Sequence, residues 1–221
     1  MRVACTDGRV LRPELLDFIP AADGERSLRD LVRINRIFGG HRLARSLFRA
    51  LEPAGARFTV LDVGAASGDM GAAIRSAFPG ARITSLDRVP YHMASAAPPR
   101  VSADALALPF RPRSFDYVVC SLFMHHFPNE RLVVLLRSLL EIARRAVVVM
   151  DLERTPLLYY ALPFAGAALR WSPVTLHDAR RSVQAAFRPA ELEALARAAG
   201  AARFRVRRHL SSLRLSLLAV P

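Results

Sequence analysis

The sequence predicts an α/β fold: a seven-stranded, mostly parallel sheet with an antiparallel terminal strand, helices on both faces and an N-terminal helical cap. Three observations predict it. From residue 57 onward, short apolar runs alternate with helical stretches, as expected of parallel strands covered on both faces. Residues 202–210 and 213–220 instead alternate with period two around Ser211-Ser212, which reads as an antiparallel hairpin. The chain has 221 residues, 52% hydrophobic and 23% charged, enough for one domain with a full core and short for two.

The elements follow in order. Residues 1–25 read as irregular. A helical stripe over 27–38 carries Leu28, Leu31, Val32, Ile34 and Phe38, and Gly39-Gly40 breaks it. A second helix over 41–51 puts Leu43, Leu47, Phe48 and Leu51 on one face. Residues 1–56 thus form an N-terminal helical extension, and 57–221 the main domain. Strand one spans 57–64. A helix over 68–78 stops at Pro79-Gly80, and strand two covers 81–87. A short helix at 91–97 is broken by Pro98-Pro99. Strand three (100–104) is weak, and strand four runs over 114–123. A helix over 129–145 carries Leu132, Leu135, Leu136, Leu139 and Leu140, and strand five covers 146–152. An insertion at about 153–188 reads as a lid. A helix over 189–200, with Gly200 as C-cap, leads into the hairpin.

Charge is a weaker guide. The formal net charge is +13, but the chain contains no lysine, and its arginines are spread along the whole length. That pattern fits a GC-rich codon bias and argues against a dedicated nucleic-acid surface. Cys5 and Cys120 cannot build a disulfide framework, no Cys/His spacing suggests zinc, and Cys120 reads as core. The N-terminus has no signal-peptide layout, so a cytoplasmic location is expected. Residues 156–169 are strongly apolar but too short to span a bilayer, are interrupted by Pro163, and are closed by Arg170. They fit a buried cap or a peripheral membrane contact. No oligomeric state follows from the sequence.

The chemistry concentrates in VLDVGAASGD, residues 60–69: an acid near a strand end, a small-residue loop, then a helix start. Gly64 and Gly68 let the backbone pass close to a ligand. Such a loop holds ligands against the carboxyl ends of the strands. A G-x-G-x-x-G fingerprint would need glycine at 66 and 69, where Ala66 and Asp69 stand. Asp69 at the helix start opposes a pyrophosphate and suits a ligand bearing positive charge. No G-x-x-x-x-G-K-[ST] motif is present.

On these residues the chain resembles the class I S-adenosylmethionine-dependent methyltransferases, in their small-molecule, ubiquinone- and menaquinone-biosynthesis-like branch. That family has a Rossmann-like fold, and its first motif is an acid followed by three glycines at alternate positions. Asp62, Gly64 and Gly68 match it, and Ala66 replaces the middle glycine. Later landmarks agree in order: Asp87 ends strand two, where the family's acid accepts the ribose hydroxyls, and Asp104-Ala105 follows strand three, where the family contacts adenine. The resemblance is close over roughly residues 57–152. It implies S-adenosylmethionine as cofactor and assigns its binding to Asp62, Gly64, Ala65, Ser67, Gly68, Asp87, Arg88, Asp104, Ala105 and Ser121.

The resemblance further implies in-line methyl transfer to a small, partly apolar acceptor, such as an aromatic, polyketide or quinone-like molecule, with no metal required. His125 and His126, at the end of strand four, are the candidate bases for a hydroxyl acceptor, with His41 and His177 as alternatives. His41, Arg154, Tyr159, Tyr160 and Trp171 are the candidate acceptor contacts. Two competing readings are an RNA methyltransferase and a non-catalytic binding module. The first lacks the N/D-P-P-[FY] type of motif after strand four, where CSLF stands instead.

Overall fold

The computed structural model describes residues 8–221, so Cys5 lies outside the described residues. Seven strands form one sheet: β1 (Thr59–Val63), β2 (Arg82–Asp87), β3 (Arg100–Ser102), β4 (Phe115–Ser121), β5 (Ala143–Leu152), β6 (Arg203–His209) and β7 (Arg214–Val220). Their order is β3-β2-β1-β4-β5-β7-β6. Strands β1 to β5 are parallel, and β7 runs antiparallel between β5 and β6. The predicted terminal antiparallel strand is therefore present.

Side-chain alternation sorts the central strands into two cores. Leu61, Val63, Val118, Cys120, Val147 and Val149 face one side, under α4 (Asn129–Ile142) and α7 (Pro189–Ala198). Val60, Tyr117, Val119, Ala146, Val148 and Met150 face the other, under α2 (Gly40–Leu51) and α3 (Asp69–Ala77). Burying each large apolar side chain contributes about 1.5–3 kcal/mol, so a one-residue register slip would exchange both faces at large cost.

A third cluster lies apart from the sheet core. Leu162, Trp171 and Val183 pack with Ile34, Phe38 and Leu158 between α1 (Ala21–Ile37), α5 (Pro156–Leu169) and α6 (Pro173–Ala185). These three helices make the cap. The N-terminal extension is split by its packing, with α1 in the cap and α2, through Leu43, Ala44 and Phe48, in the sheet core. Gly39, with φ +78°, makes the left-handed turn between them.

Several local expectations change. Helix α1 starts at Ala21, inside the stretch read as irregular: residues 21–26 hold no large apolar side chain, the buried one among them is Gly24, and the buried face goes on through Ser27, Asp30 and Asn35. An apolar stripe search does not register such a face. Pro163 lies inside α5 without ending it, and the helix stops at Arg170 in the left-handed region. Residues 90–95 form a 3-10 turn. Arg144 and Arg145 belong to β5, where they pair with Asp116 and Glu52.

Candidate active site

The sheet order reverses between β1 and β4, which opens a crevice at the carboxyl ends of the strands. A cavity of about 360 Å³ occupies it, within the range for small-molecule sites. The loop after β1 lines it with Gly64, Ala66, Ser67 and Asp69. Gly64 has φ +70°, and a Cβ there would lie 2.1 Å from the Phe123 ring, so only glycine fits. Ala66 holds φ +44°, a left-handed conformation that strains a residue with a Cβ.

Carboxylates dominate one end of the cavity. Asp87 is 9% exposed, and its two oxygens accept the N–H groups of Ala66 and Val89, each at 3.0 Å. Burial raises the Asp87 pKa, but His92 and these N–H groups outweigh it and hold the carboxyl below its ordinary value. Asp62 accepts the Gly71 N–H at 3.1 Å. Burial first, then the charges of Asp69 and Asp87, pushes the Asp62 carboxyl up to about 7. Such a site favours a cationic guest, whose charge would relieve that repulsion. Asp69 is held by His41 Nε2 at 2.6 Å, from outside the cavity, and by Asn35 Nδ2, on the cavity lining, at 2.8 Å.

The other end is built around two histidines on the 3-10 turn Met124–His126 after β4. The Nδ1 of His125 lies 2.6 Å from Asp151 Oδ1, deep in β5. Its Nε2 lies 3.6 Å from Glu14 Oε1, beyond hydrogen-bond distance. His126 stacks on His125 with ring centroids 4.5 Å apart, and its Nε2 lies 3.9 Å from Glu14 Oε2. Burial opposes charge on His125, but Asp151 and Glu14 outweigh it and raise its pKa to about 10. Burial likewise opposes charge on Glu14, but contact with His125 and the nearby His126 holds its carboxyl at about 2. Leu16, Leu31, Phe127 and Leu152 supply apolar wall.

Glu14 reaches this place because the segment before α1 straps across the cap. Asp178 of α6 accepts the N–H groups of Leu15 and Leu16, at 2.8 and 3.0 Å. Arg9 donates to the carbonyls of His125 and Phe127, both at 2.9 Å.

Residues 60–146 match the family model of a methyltransferase domain. The chain has the Rossmann-like fold of the class I methyltransferases. Human N-acetylserotonin methyltransferase in complex with S-adenosylmethionine superposes with a TM-score of 0.63 at 17% identity, over 95% of this chain and 62% of that one. Magnesium protoporphyrin IX methyltransferase from Synechocystis PCC 6803, with bound S-adenosylhomocysteine, gives 0.59 at 16%, over 100% and 92%. A putative O-methyltransferase from Nostoc punctiforme PCC 73102 gives 0.59 at 19%, over 84% and 56%. At these identities the likeness shows the fold, and the chain spans roughly three-fifths of the first and third of these proteins. No curated protein sequence matches the chain significantly.

The methyltransferase domain implies S-adenosylmethionine as its cofactor, and the residues fit that molecule. The acidic end suits a sulfonium. Two buried polar atoms on cavity-lining residues, His92 Nε2 and Ser121 Oγ, lack hydrogen-bond partners among the described residues, as expected where ligand groups complete them.

The cavity brings together Asp62, Gly64, Ser67, Asp87, Arg88, Asp104, Ala105, Ser121, His125 and His126. Ala65 is buried beside it, and Gly68 lines an adjoining groove. The expected acceptor contacts do not reach it. His41 is taken by Asp69. Arg154 is 3% exposed and donates to Glu191 at 2.6 and 3.0 Å, which fixes it to α7. Trp171 packs edge-on against Phe38 inside the cap, and Tyr159 lies beneath Arg180. Tyr160 points outward, 51% exposed. His177 bonds Asp178 at 2.8 Å. Glu14, Asn35, His92 and Asp151 were not singled out from the sequence. A carboxylate inside the apolar run of strand five was the one signal for Asp151.

Proposed function

We propose that this protein transfers a methyl group from S-adenosylmethionine to a hydroxyl-bearing, partly apolar small molecule. One observation carries the reading. A single cavity joins an acidic end, Asp62, Asp69 and Asp87, to a histidine end with apolar walls. S-adenosylmethionine supplies a methyl group already activated by its sulfonium.

The chain's part is binding, orientation and proton handling. Asp87 spends one acceptor position per oxygen on Ala66 and Val89 and keeps others for ribose hydroxyls. Asp62 and Asp69 supply negative field where positive charge is held. Leu16, Leu31 and Phe127 exclude water around the acceptor, which favours attack in line. His125, protonated between Asp151 and Glu14, acts as an orienting donor rather than a base. His126, 28% exposed and open to the cavity, is the group placed to take the hydroxyl proton.

The test is calorimetric titration of S-adenosylmethionine into wild type and Asp87→Ala, followed by a labelled-methyl assay on phenolic, quinone and polyketide extracts and on RNA. Saturable binding that Asp87→Ala abolishes, with label entering the small-molecule fraction, supports the reading. Label in RNA, or no binding, overturns it.

A further inference from the structure

We propose that Glu14, His125 and His126 form a binding site for one divalent transition-metal ion of the zinc class, facing the cavity. Their ligand atoms, one per residue, all lie within 4.8 Å of one another. Two imidazole nitrogens and one carboxylate are a donor set that such ions take with a position left open. Magnesium and calcium, which prefer oxygen, suit it less.

The independent sign of a ligand is His125 itself. Its side chain is 2% exposed, and Nε2 has no hydrogen-bond partner although it points at Glu14. A buried polar nitrogen left this way costs free energy unless something completes it. The other nitrogen is already committed. Asp151, wholly buried, holds Nδ1 at 2.6 Å and also accepts the His125 and Leu152 N–H groups, at 3.2 and 2.8 Å. A carboxylate on one ring nitrogen, orienting the other toward a metal, is the usual second layer of such sites.

The spacing is close to what coordination needs. Donors bonded at about 2.1 Å around a tetrahedral ion lie roughly 3.4 Å apart. The distances here are 3.6 Å from His125 to Glu14 and 3.9 Å from His126 to Glu14. These two distances run to different Glu14 oxygens, and with one atom per residue the three donors lie within 4.8 Å; closing the widest pair takes up to about 1.4 Å, for which the partly exposed His126 ring must turn. All three residues line the cavity, so an ion has a route in, and its open position faces the acceptor chamber. An ion bound there would displace the Nε2 proton of His125 to solvent; if the proposed function holds, the ion would also acidify an acceptor hydroxyl, and His126, as a ligand, would no longer take the hydroxyl proton.

The experiment uses the full chain, purified without a histidine tag and stripped by chelator, then titrated with Co²⁺ alone and Zn²⁺ alone. Expected are one site per chain, visible-region bands from Co²⁺ in mixed nitrogen and oxygen coordination, and binding at least about tenfold weaker in Glu14→Gln and in His126→Gln. These two variants carry the test, because replacing the buried His125 endangers the fold; circular dichroism verifies each. Absence of saturable binding, or binding unchanged in both variants, overturns the site. S-adenosylmethionine is titrated separately into the same stripped protein. Cofactor binding without metal binding sinks this inference alone, and metal binding without cofactor binding sinks the methyltransferase reading alone.

Discussion

The backbone N–H of Ala66 donates to Asp87 Oδ2 at 3.0 Å, so the end of β2 clamps the loop that follows β1. One carboxylate thereby shapes the cofactor loop and faces the cavity. Asp87→Asn keeps the volume but replaces one acceptor oxygen with a donor that opposes an N–H. We expect S-adenosylmethionine affinity to fall about 10- to 100-fold, equivalent to about 1.5–3 kcal/mol for a charge-assisted bond. Calorimetry checks this.

Asp62 makes stability depend on pH. Its folded pKa is about 7 against an ordinary 3.8, so the folded chain holds this proton more tightly than the unfolded chain does. The contribution is complete below about pH 4 and is lost as pH rises through 7. Melting temperature should therefore drop between pH 5 and 8, and Asp62→Asn should flatten that drop. A cationic ligand lowers the same pKa, so its affinity should rise across this range and its binding should release protons, measurable by calorimetry in two buffers of different ionisation enthalpy.

The loop after β1 should respond in opposite senses at two positions. Gly64→Ala drives a Cβ into the Phe123 ring at positive φ and should cost more than about 2 kcal/mol. Ala66→Gly relieves φ +44° at some cost in unfolded-state entropy and should stabilise by roughly 0.5 kcal/mol. Denaturant melts of the two variants test both signs.

Arg154→Ala should act on the fold and leave the acceptor alone. It removes a two-pronged contact with Glu191 and a bond to the Ala186 carbonyl from a site 3% exposed. A loss of about 2 kcal/mol is expected, with the acceptor KM unchanged in steady-state assays.

No helix among the described residues is long and apolar enough to cross a membrane. Helix α5 turns Leu158, Leu162 and Ala165 to the cap and leaves Leu157, Tyr160 and Phe164 outside. The apolar run at 156–169 was plain in the sequence, but its split into two faces was not, since a helix apolar all round has no stripe to read.

By itself the sequence determined the sheet, its cover of helices on both faces and the strand ends at which Asp62, Gly64, Asp87 and Ser121 stand. Those features follow from short apolar runs alternating with helical stretches, from period-two alternation in the terminal hairpin and from where each apolar run stops, which are properties of neighbouring residues. Only the tertiary structure decided which distant groups meet. Glu14 reaches His125 through a strap with no periodicity, and Asp151 was concealed in an apolar run although it holds the His125 ring. His41 and Arg154 were lost as acceptor contacts to Asp69 and Glu191. The physical reason is that an ion pair is chosen by proximity across the packed fold, whereas local pattern reports only which face of an element is buried.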